Sequence, residues 1–127
     1  MLIIEFEEGQ GLGNQLWNYA VLRSLAKHNS YNFYVKNIDN FKGKKFLNIK
    51  SKDTNQEINF KEFSIVEEKC FYDHELNCFA YGFDKNLIKI NDNIILKGNL
   101  QSENYLMPNI EVINDFINIK NFKRANN

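Results

Sequence analysis

The sequence predicts an α/β domain built on a parallel sheet. Three observations at the start of the chain carry that reading. Leu2 to Phe6 is a short apolar run suited to a strand in a covered sheet. Gly9, Gly11 and Gly13 then mark a tight turn. From Gln15 to His28 the chain has no Gly or Pro, and Leu16, Trp17, Tyr19, Ala20, Val21, Leu22, Leu25 and Ala26 leave only Asn18, Arg23, Ser24 and Lys27 for a polar side. That pattern is a helix with a wide apolar face, as needed for packing on a sheet.

The remaining elements follow in order. His28-Asn29-Ser30 ends the helix, and Tyr31 to Val35 is a second strand of aromatic and β-branched residues. Strand, glycine loop, helix and strand make one βαβ unit, so the two strands are expected to be parallel. Asn37 to Asn59 reads as loops with a short helix near 41–47. Phe63 to Val66 reads as a strand, and Phe71 to Asn91 is mixed, with an aromatic cluster at Phe79, Tyr81 and Phe83. Ile94-Ile95-Leu96 is a short strand stopped by Gly98. Glu103 to Asn118 reads as a helix broken or restarted near Pro108, with Asn109 as its cap. The expected layout is one Rossmann-like domain over residues 1–119 and a polar tail over 120–127.

Composition narrows the function classes. The chain has 127 residues and 43% hydrophobic residues, which is one domain with enough apolar mass for a core. Lys+Arg and Asp+Glu number 16 each, so no overall field holds the chain to nucleic acid or anionic lipid. The bias toward Asn, Ile, Lys and Phe matches an AT-rich genome and carries no functional content. Met1-Leu2-Ile3-Ile4 is cut short by Glu5, so no secretory signal is expected, and no run is long enough for a membrane span. A cytoplasmic chain is expected, with the inner membrane surface as the alternative location. Cys70 and Cys78 are then small buried or half-buried thiols, and with His28 and His74 they give no zinc spacing. No metal and no bound cofactor are expected.

The glycine loop is the leading candidate for chemistry. A strand turning through glycines into a helix presents free N–H groups where the helix dipole adds about half a positive charge. Such a place suits a phosphate or a developing anion, and Asn14 and Gln15 add side-chain amides. The spacing fits neither the dinucleotide fingerprint nor a P-loop. Spacing alone leaves two readings open: a ligand cradle, or a turn that packs strand to helix. Glu7-Glu8 and Glu67-Glu68 read as solvated charges, Asp73-His74-Glu75 and Lys42, Lys44 and Lys45 as polar loops, and Tyr72, Phe79, Tyr81 and Phe83 as core.

Gly11-Leu12-Gly13-Asn14-Gln15-Leu16-Trp17-Asn18-Tyr19-Ala20 resembles the signature GGLGNQ(L/M)FQYA that opens the α-1,2-fucosyltransferases of glycosyltransferase family 11. Gln10 stands where the family has its first Gly, Trp17 replaces Phe and Asn18 replaces Gln. Leu96-Lys97-Gly98-Asn99-Leu100-Gln101-Ser102-Glu103-Asn104-Tyr105 is similar to a second family segment, L-x-G-Y-F-Q-S-E-K-Y-F, with Asn99 and Leu100 in place of the aromatic pair. The resemblance implies the N-terminal half of a two-domain GT-B enzyme that transfers fucose from GDP-fucose to a galactose-type hydroxyl of a surface glycan, with inversion and without a metal. It implies that Gly11, Gly13, Asn14 and Gln15 lie by the donor pyrophosphate. It also implies that Gly98, Gln101, Ser102 and Tyr105 lie at the cleft edge. The family's H-x-R-R-x-D donor motif has no counterpart: Arg23 and Arg124 are the only arginines, and they are not paired. Arginine pairs suit diphosphate binding, so the chain is expected to lack the donor half, its partner, and to be inactive alone. The alternatives are a non-catalytic sugar- or nucleotide-binding module and an unrelated nucleotide binder sharing only the glycine loop.

Overall fold

A computed structural model describes residues 1–117. The polar tail and the last residues of the expected domain, 118–119, lie outside the described residues. The elements are β1 (Leu2–Glu5), α1 (Leu12–Asn29), β2 (Phe33–Lys36), β3 (Ser64–Glu67), β4 (Cys70–Asp73), β5 (Cys78–Tyr81) and β6 (Ile94–Lys97). Four strands form a parallel sheet in the order β2-β1-β6-β3, and β4 and β5 form a separate antiparallel hairpin. The chain is a small α/β domain.

Register sorts the sheet into two faces. Leu2 pairs with Phe33 and Ile94, and Ile4 pairs with Val35, so these residues share one face with Leu96. All are buried in a core with Tyr19, Leu22, Leu25 and Ala26 of α1, and with Tyr105, Leu106 and Phe116. Burying each large side chain contributes about 1.5–3 kcal/mol, so α1 is held by its apolar side. Its end is set by Ser30, whose left-handed backbone (φ 60) turns its N–H onto the Ala26 and Lys27 carbonyls. The helix begins at Leu12, three residues before the expected start, so Gly13 lies inside its first turn.

Residues 103–117 pack against α1 as the apolar stripe requires, but in 3₁₀ turns at Glu103–Tyr105 and Met107–Asp115 instead of the expected α-helix. Pro108 has no N–H to donate, and Asn109 takes a non-helical backbone (φ −150, ψ 55), which breaks the segment where the sequence marked it. Asn109 is no cap: its side-chain amide donates to the Ser24 carbonyl at 3.4 Å. Arg23 donates to Asp115 at 2.6 Å and Lys27 pairs with Glu111 at 3.2 Å, joining the segment to α1 from outside.

The middle of the chain departs furthest from expectation. Residues 42–46 form turns without a helix, and the mixed segment contains the β4–β5 hairpin. Cys70 and Cys78 are free and exposed, against the expectation of buried thiols. They sit opposite Tyr81 and Asp73 in the hairpin register, not opposite each other. No helix among the described residues is long and apolar enough to cross a membrane.

Gln15 is fully buried and bridges the loop after β2: its Nε2 donates to the Asn40 carbonyl at 2.9 Å, and its Oε1 accepts from the Lys42 N–H at 2.9 Å. Removing one side of such a buried pair strands the other. Gln15→Ala should therefore lower unfolding stability by about 2–3 kcal/mol, read by urea denaturation followed by circular dichroism.

Candidate ligand cleft

The connection from β1 runs to β2 on one side of the sheet, while β6 and β3 lie on the other. Where strand order reverses in this way, the connections diverge and leave a crevice beyond the carboxyl ends of the strands. A cleft of about 440 Å³ occupies that place, between β1 and β6. One wall carries Glu5, Glu7, Glu8 and Gly9, the start of α1 adds Asn14 and Asn18, and the opposite wall is Lys97, Gly98 and Asn99.

The glycine loop forms the rim. Gly9 has φ +84, a conformation that favours glycine. Gly11 is the N-cap of α1, with ordinary extended angles and no side-chain cap bond. A Cβ at Gly11 or at Gly13 would meet nothing within 4 Å. The packing of the chain therefore does not require glycine at either position, although Gly13 weakens the first helical turn relative to Ala. Both flank the cleft without lining it, and both leave bare backbone facing outward.

The two sequence segments meet here. Gln101 donates its side-chain amide to the Asn14 carbonyl oxygen, bringing together residues 87 apart in the chain. The Asn14 amide nitrogen and the Gln101 carbonyl oxygen have no partner among the described residues. Ser102 accepts from the Asn104 N–H at 3.4 Å and so caps the 103–105 turn. Gln15 faces away from the cleft, its amide consumed by Asn40 and Lys42.

Tyr105 is not at the cleft edge. Its ring is fully buried, packed 5.1 Å from the Phe83 ring, and its hydroxyl donates to Glu68 Oε2 at 2.5 Å while accepting from the Asp84 N–H at 2.8 Å. Burial pushes the phenol above its usual pKa, and the Glu68 carboxylate adds to the shift. Glu68, expected to be solvated, is 5% exposed. Its Oε1 accepts from the Leu100 N–H at 3.0 Å. Gly98 passes over it at φ +148, where a Cβ would stand 2.5 Å from the Glu68 Cβ. Gly98, Leu100 and Tyr105 thus belong to one buried assembly around Glu68, and Gly98 alone of the three also reaches the cleft. The missed signal was the alternation of β3, which sends Glu67 outward and the next residue inward.

Asn18 was also missed as a site residue. It is 8% exposed, lines the cleft one helical turn after Asn14, and its Oδ1 is buried without a hydrogen-bond partner. An unmatched buried amide of this kind costs about 1–3 kcal/mol. The other orphaned atom, Trp17 Nε1, lies outside the cleft lining.

Charge is the second property of the cleft. Three acidic residues, Glu5, Glu7 and Glu8, line it against one basic residue, Lys97. Glu5 also accepts from the Asn37 amide at 2.7 Å. Arg23 is on the far side of its helix, engaged with Tyr19 and Asp115. The described residues hold no cluster of three or more His, Cys, Asp or Glu side chains suited to a metal ion. No protein-family model, no curated protein and no solved structure matches the chain.

The two glycines that close and rim the cleft should respond oppositely. Gly98→Ala should lower unfolding stability by about 2–4 kcal/mol, through the positive φ and the contact with Glu68. Gly13→Ala should raise it by about 0.5 kcal/mol. Chemical denaturation of the two variants checks both signs.

Proposed function

We propose that the chain supplies the acceptor-side domain of an inverting glycosyltransferase similar to the α-1,2-fucosyltransferases, using GDP-fucose and a galactose-type hydroxyl. In the wider expectation it is a Rossmann-like half of a GT-B enzyme. One observation carries the reading: the two segments that resemble the family face each other across a single cleft at the reversal point of the sheet. The bare rim at Gly11 and Gly13 supports it, since room is left there for a group outside the chain.

In this reading the acceptor hydroxyl is held in the cleft and loses its proton to a base as its oxygen attacks the anomeric carbon. GDP leaves from the opposite face of the sugar. The cations that neutralise GDP come from a second half carrying an arginine pair. A sugar-binding module without catalysis is the second reading, favoured by the absence of any arginine facing the cleft among the described residues.

Two experiments bear on this. Titrated with GDP, the chain alone should bind no tighter than about 1 mM, or −4 kcal/mol; micromolar binding would contradict a separate source of cations. Residues 1–117 joined to the donor half of an active α-1,2-fucosyltransferase should transfer fucose to a galactoside. Asn14→Ala should lower kcat/KM about tenfold, or 1.4 kcal/mol. A chimera that folds and binds GDP-fucose yet transfers nothing would support the module instead.

A further inference from the structure

We infer that the cleft is built for a neutral, hydroxyl-rich ligand and selects against phosphate, with the Asn18 amide as the residue that reads a ligand hydroxyl. The inference deepens the acceptor-side reading and rests on it. It reassigns the glycine-loop cleft, which the sequence pattern alone would give to a diphosphate.

Charge decides against phosphate. A pyrophosphate in the cleft would share it with three acidic residues, the half-buried Glu5 and the exposed Glu7 and Glu8. Against them stand Lys97 and about half a charge from the start of α1. The acidic residues outnumber these, and although water screens the exposed Glu7 and Glu8, the net field at the cleft stays unfavourable to a polyanion. A neutral polyol carries no such penalty, and its hydroxyls match the groups present. Carboxylates accept hydrogen bonds, side-chain amides both donate and accept, and bare loop backbone offers N–H groups.

Asn18 supplies the specific point of recognition. It is more than nine-tenths buried and lines the cleft, yet its Oδ1 has no hydrogen-bond partner among the described residues. Buried polar groups are almost always matched, so an orphan beside an open cleft marks a partner outside the chain. Rotation about the terminal torsion presents either the donor or the acceptor end. A sugar hydroxyl, being both donor and acceptor, satisfies either. Asn14 stands one turn nearer the rim with its nitrogen free, and Gln101 offers its carbonyl oxygen beside it. Asn14 and Asn18 thus place two side-chain amides one helical turn apart along the cleft, with Gln101 bonded to Asn14 at its edge.

The test is binding to the whole chain followed by ¹⁵N-resolved NMR, with methyl β-D-galactopyranoside and inorganic pyrophosphate as separate probes. The galactoside should shift the backbone amides of residues 9–14 and 97–101 and the Asn18 side-chain amide. Pyrophosphate should bind at least about tenfold more weakly. Asn18→Ala should weaken galactoside binding roughly tenfold. Asn18→Leu should abolish it while raising Tm by about 3–6 °C, because it removes an unmatched buried amide. A fall in Tm for Asn18→Leu, or galactoside affinity unchanged in a folded Asn18→Ala, would overturn the role of Asn18. Pyrophosphate binding as tight as the galactoside would overturn the selection and leave the transferase reading standing, with the donor in the cleft. Galactoside binding as described alongside a folded, silent chimera would instead strike the transferase reading and leave the cleft assignment intact. Binding of neither probe would overturn the inference.

Discussion

One buried carboxylate holds the cleft in shape. Glu68 sits at the end of the edge strand β3, where its own N–H continues the ladder to the Lys97 carbonyl at 2.8 Å. Its two oxygens then hold the loop that leaves β6, one through the Leu100 N–H and the other through the Tyr105 hydroxyl. Leu100 is kept at φ +53, a left-handed conformation that a leucine adopts only when its surroundings over-determine it. The loop is therefore not free to swing. Because it is pinned, Gly98 and Asn99 form a wall and Gln101 reaches Asn14.

The sheet supplies the rest of the geometry. A parallel order with β1 and β6 at its centre sends the connections after these strands in different directions, and an opening is left between them. Into that opening project the first turns of α1, fixed from behind by the apolar contacts of Tyr19, Leu22 and Leu25 with the sheet. Asn14 and Asn18 lie on the same stripe of the helix as Leu22 and Leu25, two turns and one turn nearer its start, where that stripe leaves the core and enters the cleft. The buried stripe thus positions the two asparagines at its N-terminal end. Gln15 ties the loop after β2 to α1 at the same level. The cleft is a rigid-frame feature with a neutral-to-acidic interior, which is a poor match to a diphosphate and a good one to hydroxyls.

The sequence made the first half of this legible. The β1–α1–β2 unit, β3, β6 and the break at Pro108 all follow from local period and turn chemistry, which act over a few residues. The 3₁₀ character of residues 103–117 did not follow, because an apolar stripe of that spacing fits either helix and the choice was settled by Pro108 and the non-helical Asn109. The β4–β5 hairpin was hidden in a segment of mixed period. Of the residues that the two segments marked, Asn14 and Gly98 line the cleft and Gln101 is bonded to Asn14. Gln15 and Tyr105 came from the same segments and proved to be internal braces, since a short pattern cannot distinguish a residue that touches ligand from one that holds its neighbours. Glu68 and Asn18 were missed for other reasons. The alternation of β3 already turns Glu68 to the face opposite Glu67, a signal masked by its acidic neighbour, whereas an orphaned amide exists only in three dimensions.

The most direct measurement is a side-chain amide NOE between Gln101 and Asn14, recorded on the wild-type chain and on Glu68→Ala. Wild type should show it, and Glu68→Ala should lose it while the amides of β1 and β2 keep their dispersion. If wild type shows no such NOE, or if Glu68→Ala retains it, the two segments do not form one cleft through that carboxylate.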